Sequence, residues 1–195
     1  MRICLVLLLS LAALTACAAK PSRTRPPMAP HEIIDEQTAG TLTVAAKPLV
    51  FARDRSDVAA YARDYVTLVA IEDDRSGEFS QYLLLYRWST VDKRMSAPPG
   101  ADAGALRILA DARAIDLKPL DDLPVSLSKR RELHVPGHGE VAAHAYTVDA
   151  ELLRFIGTSR ELAVRMPQER LDTPFALYED GRPALLEFLN RVTGP

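Results

Sequence analysis

The stretch Tyr61–Asp92, YARDYVTLVAIEDDRSGEFSQYLLLYRWSTVD, decides the fold. It predicts two long β-strands joined by a polar turn over Glu72–Glu78. Along the first arm Val66, Leu68 and Ala70 fall on one side and Val69 and Ile71 on the other. The second arm sets Phe79, Leu83 and Leu85 against Tyr82, Leu84, Tyr86 and Trp88. Both sides are apolar, which is how a strand reads when each of its faces is covered, and the β-branched and aromatic content favours strand over helix.

Outward from this hairpin, Thr41–Val44 and Leu49–Arg53 read as strands, the second opened by Pro48. Ser56 is placed to cap a helical turn over Asp57–Tyr61. Met95–Gly104, MSAPPGADAG, is a loop by composition. Ala105–Lys118 has two readings, a helix through Leu106, Leu109, Ala110 and Arg113 or a tight hairpin about Asp111-Ala112-Arg113; the hairpin is preferred. Pro119–Arg131 is irregular, with an edge strand at Val125–Leu127.

The last third alternates more plainly. Val141–Val148 is a strand, Asp149 an N-cap, and Ala150–Ile156 an amphipathic helix stopped by Gly157. Strands follow at Glu161–Met166 and Phe175–Tyr178, the second after a loop at Pro167–Asp172. Asp180 and Pro183 then open a terminal helix bearing Leu185, Leu186, Leu189 and Val192. The fold class expected is α+β, a mainly antiparallel sheet with two short C-terminal amphipathic helices packed against it.

The first seventeen residues, MRICLVLLLSLAALTAC, place Arg2 before an apolar run from Ile3 to Leu14 that is too short for a permanent membrane span. Leu14-Thr15-Ala16-Cys17 resembles the lipobox of bacterial lipoproteins. The resemblance covers only the export signal. It implies cleavage after residue 16, a diacylglycerol thioether on Cys17 and an amide-linked acyl chain on its amine. Such an anchor is effectively permanent. Ala18 stands where an aspartate would imply retention at the inner membrane, so the resemblance implies the outer membrane, with the domain facing the periplasm.

The expected organisation is therefore a signal peptide over 1–16, a lipidated, proline-rich tether over 17–40 and one β-rich domain over 41–195. Pro21, Pro26, Pro27 and Pro30 bar regular helix from the tether, and Lys20, Arg23 and Arg25 are placed to rest on anionic headgroups. Ile33 and Ile34 are left open between packed and solvated.

Composition excludes several function classes. With 24 basic and 26 acidic residues the charge is −2, which is no nucleic-acid signature. The two cysteines, Cys4 and Cys17, leave no thiol in the domain for a disulfide, a metal site or a nucleophile. No phosphate-cradling glycine loop, dinucleotide fingerprint, nucleophile elbow or zinc-protease helix is present. The one histidine concentration, HVPGHGEVAAH, supplies His134, His138, Glu140 and His144 as candidate zinc or copper ligands, but their spacing matches no familiar motif, and a loop with one half-buried histidine is the preferred reading.

The remaining polar and aromatic groups have plain readings. Glu72-Asp73-Asp74 lacks regular calcium-loop spacing and reads as a solvated turn. Lys129-Arg130-Arg131 reads as a solvated run, and Arg53, Asp54, Arg55, Asp57, Arg63 and Asp64 as surface ion pairs. Trp88 with Tyr82, Tyr86 and Phe79 lines either a ligand cleft or, preferably, the core.

Two functions follow. The first is a non-enzymatic envelope lipoprotein that takes an envelope protein, glycan or lipid as partner, with no cofactor and no nucleic acid. The second is a metal-binding protein or hydrolase using the His134–His144 region.

Overall fold

The computed structural model describes residues 28–36, 38–91, 105–128, 133–136, 142–167 and 173–194. Ten strands, one 3-10 turn and two α-helices lie within them. The central hairpin is β4 (Arg63–Arg75) and β5 (Glu78–Ser89), paired antiparallel from Asp64↔Ser89 to Arg75↔Glu78. Its turn is shorter than the expected Glu72–Glu78. Only Ser76 and Gly77 connect the strands, with φ of 57° and 88°, and consecutive left-handed residues match the twist of a two-residue hairpin. Glu72, Asp73 and Asp74 belong to β4 because a further strand pairs with them.

That strand is β2 (Gly40–Val44), which runs along Ile71–Asp74, while β3 (Leu49–Asp54) runs along Arg63–Leu68 of the same edge. β4 is 13 residues long, enough to hold two partners end to end. β1 (His31–Asp35) pairs with β2, so this stretch, read as the end of the tether, is a strand with Ile33 packed and Ile34 solvated.

β8 (Ala142–Thr147) lies on the far side of β5. From β3 the sheet continues through β10 (Phe175–Glu179), β9 (Leu162–Arg165), β6 (Leu106–Ala110) and β7 (Arg113–Leu117). Ala105–Lys118 is thus the hairpin. Asp111 takes a left-handed φ of 49° in its turn, and its carboxylate accepts the backbone N–H groups of Arg160 and Glu161.

The inner face of the sheet buries Phe51, Val66, Leu68, Leu83, Leu85, Ile108, Tyr146, Val164 and Phe175 under helices α1 (Ala150–Thr158) and α2 (Arg182–Val192). Asp149 caps α1, its Oδ1 accepting the Leu152 N–H at 2.7 Å. Gly157 does not stop this helix, which continues to Thr158. A Cβ at 157 would stand 2.8 Å from Leu186 Cδ2, so the glycine is there to let the two helices approach.

The outer face buries Leu42, Val44, Val69, Ile71, Leu84, Tyr86 and Ala145 under Leu120, Leu123, Leu127 and Leu133. The expected strand at Val125–Leu127 is a 3-10 turn, which buries Ser126 and Leu127 against this face and leaves Val125 exposed. Two covers, helical inside and irregular outside, explain why β4 and β5 are apolar on both sides. The helical turn expected over Asp57–Tyr61 is a series of turns begun by Val58 and Ala59 N–H bonds to the Arg55 carbonyl.

Candidate functional site

The histidine cluster read from the sequence does not assemble among the described residues. His144 lies opposite Leu85 on β8, half-buried, and burial, reinforced by the nearby Arg87 charge, pushes its imidazole below the ordinary histidine range. His134 instead sits beyond the end of β2, its Nε2 3.0 Å from the Ala45 carbonyl oxygen. Ala45, Ala70, Leu83 and Tyr146 make one row across the sheet. Ala45, which His134 contacts, and Tyr146, two residues from His144 on β8, are therefore about three strand spacings apart, about 14 Å, and the two histidines belong to opposite ends of that row. His138 and Glu140 fall outside the described residues, as do Cys17, the loop over 95–104 and Lys129-Arg130-Arg131. No group of three or more histidine, cysteine, aspartate or glutamate side chains able to hold a metal occurs among the described residues.

A different partner reaches His134. The ring of His31, from β1, stands against it with centroids 5.7 Å apart and planes at 82°. Nothing in the local sequence links the two. Both are partly exposed, and His134 holds a left-handed φ of 58°.

The acidic run is likewise split by the strand. Asp73 points to the outer face, where its Oδ2 accepts Ser126 Oγ–H at 2.7 Å and the Arg75 guanidinium at 2.9 Å. Arg75 also donates to Ser126 Oγ, so the three residues pin the 3-10 turn onto the sheet. Glu72 points to the inner face, where Gln81 Nε2 donates to its Oε2 at 3.1 Å. Burial, with help from the Asp74 charge and against the Gln81 bond, pushes the Glu72 carboxyl above the ordinary range. Carboxylates on opposite faces of one strand do not converge on calcium.

The basic and acidic residues of β3 and β4 pair across strands, with partners set by register. Arg53 lies opposite Asp64, and Asp54 opposite Arg63. Asp64 Oδ2 takes Arg55 at 2.8 Å and Arg53 at 3.2 Å, and Arg63 takes Asp54 at 2.8 Å. These are not all surface pairs, since Arg53 is buried with its guanidinium 4.1 Å from the Phe175 ring centroid. Burial pushes Asp64 up, but the bonds from Arg55, Ser89 and Arg53 outweigh it and hold the carboxyl below the ordinary range.

Beside this network the outer face carries an aromatic group. Trp88 stacks on Tyr65, its direct cross-strand partner, with centroids 4.1 Å apart and planes at 8°. Trp88 Nε1–H donates to Thr67 Oγ1 at 3.2 Å. Tyr178 of β10 meets Tyr65 edge-on at 5.6 Å, and the Arg63 guanidinium lies 5.6 Å above the Tyr178 ring, which is 53% exposed. Of the aromatic residues grouped from the sequence, Tyr86 is core, its hydroxyl pushed by burial up to about 12, and Phe79 lies on the opposite face. The partners of Trp88 are thus Tyr65 and Tyr178, which sequence order separates and pairing register brings together.

No helix of the described residues is long and apolar enough to cross a membrane. No protein-family model matches the chain, and comparisons with curated proteins and with solved structures give no significant match.

Proposed function

We propose that the chain is a cell-envelope lipoprotein, anchored through Cys17 to the outer membrane with its domain on the periplasmic side, and acting as a non-enzymatic binding or structural module. The observation that carries this reading is the short apolar run from Ile3 to Leu14 closing on Leu14-Thr15-Ala16-Cys17. A binding role is supported by the outer-face group of Tyr65, Trp88, Tyr178 and Arg63. Trp88 is partly exposed and Tyr178 is exposed with Arg63 over its ring, both resting on the buried Tyr65, and aromatic rings with arginine are the residue types enriched at recognition surfaces. The absence of a basic excess argues against nucleic acid as partner.

Cys17→Ser tests the anchor, because only a thiol takes the diacylglycerol thioether. The variant is expected to incorporate no radiolabelled palmitate and to leave the membrane fraction or remain unprocessed. Equal labelling of the variant and the parent chain would refute the reading.

A further inference from the structure

We propose that His31 and His134 form a two-imidazole site for a first-row divalent cation such as Zn²⁺, with water or an external ligand in the remaining positions. The inference is independent of the partner-binding reading and rests on three observations. The rings, from segments distant in sequence, stand 5.7 Å apart at 82°. With metal–nitrogen bonds of about 2.0–2.1 Å and each ring centroid about 1.1 Å behind its ligating nitrogen, a tetrahedral ion sets two imidazole centroids about 5.2 Å apart. The centroid separation is thus within about half an ångström of what a shared ion requires, and side-chain rotation would turn a nitrogen of each ring toward the common point.

The second observation orients one ring. His134 Nε2 lies 3.0 Å from the Ala45 carbonyl oxygen, which can only accept, so Nε2 carries a proton and Nδ1 is the nitrogen left to ligate. A histidine that gives one ring N–H to a backbone carbonyl while its other nitrogen remains basic is the arrangement that orients metal ligands. The third is the backbone: Leu133, next to His134, is fully buried in the outer-face core, so the chain that carries the imidazole is anchored.

An ion there would tie β1 to the segment that covers the outer face.

The test is calorimetric titration of Zn²⁺ into the tag-free full chain in detergent at pH 7.5, for the parent and for His31→Gln, His134→Asn and His144→Ala. Asparagine tolerates the left-handed backbone at 134, and the zinc-free melting temperature of each variant is recorded first. The parent and His144→Ala are expected to bind one equivalent and to melt higher with Zn²⁺. His31→Gln and His134→Asn are each expected to lose about tenfold or more in affinity. Should His134→Asn fail to fold, His31→Gln alone decides, since β1 is an edge strand. No uptake by the parent, undiminished uptake by His31→Gln, or an equal loss in His144→Ala overturns the proposal.

Discussion

Leu84→Ala is the substitution that most directly measures whether the central hairpin is double-faced core. Leu84 is 0% exposed, faces outward from the middle of β5, and stands between Val69 on β4 and Ala145 on β8. Its flanking strands are fixed by ladders on both sides and cannot close the gap. The cover above it, built from Leu120, Leu123, Leu127 and Leu133, is irregular and can settle in part. Removing three buried carbons under those conditions falls near the middle of the range for such cavities, about 3 kcal/mol. With a urea slope of about 2 kcal/mol/M, the unfolding midpoint should drop by about 1.5 M.

The assay is equilibrium urea unfolding, followed by Trp88 fluorescence, of a form beginning near Met28 so that β1 is retained. Phe79→Ala is the internal control. Phe79 lies on the same strand but is 64% exposed, and its change should stay within about 0.5 kcal/mol. A Leu84→Ala midpoint unchanged within error, or a loss no larger than that of Phe79→Ala, refutes the assignment of an outer core.

Ser126→Ala should cost about 1–3 kcal/mol, because it removes the hydroxyl that donates to the buried Asp73 and anchors the 3-10 turn; proteolysis within 118–128 no faster than in the parent would argue against that anchoring. Glu72 makes a pH prediction with a definite sign. Burial raises its folded-state carboxyl above the ordinary value of 4.5, so the folded chain holds the extra proton, and the contribution of Glu72 is greatest below 4.5 and is lost as pH rises through the folded value. Glu72→Gln should therefore flatten the fall in stability above pH 4.5 and be at least as stable as the parent at pH 7, measured by urea midpoints across that interval; a variant less stable at pH 7 with an unchanged slope contradicts the burial account.

How much of this was legible in the sequence depends on the range of the interactions involved. The strands and helices came from local pattern. Val66–Ile71 and Leu83–Tyr86 are apolar on both sides, Asp149 precedes an amphipathic run, and Pro183 opens another; each signal lies within a dozen residues and needs no partner to be read. The lipobox resemblance at Leu14-Thr15-Ala16-Cys17 is of the same kind.

What went astray was decided by neighbours. Glu72-Asp73-Asp74 looked like a turn because polar runs usually are, yet β2 pairs along it and Ser126 and Gln81 receive its side chains. Gly157 looked like a helix stop, yet it sits inside α1 because Leu186 of α2 leaves no room for a Cβ. The partners of Arg53, Arg63 and Trp88 follow from antiparallel register, which spacing along the chain does not encode. The candidate histidine site shows the same division. Proximity in sequence grouped His134 with His138 and His144, whereas the sheet carries His144 about three strands away and brings His31 beside His134. The sequence by itself determined which segments could be strands or helices, since that rests on periodicity and backbone chemistry within each segment. Only the tertiary structure decided which side chains meet, because strand order and register set those distances.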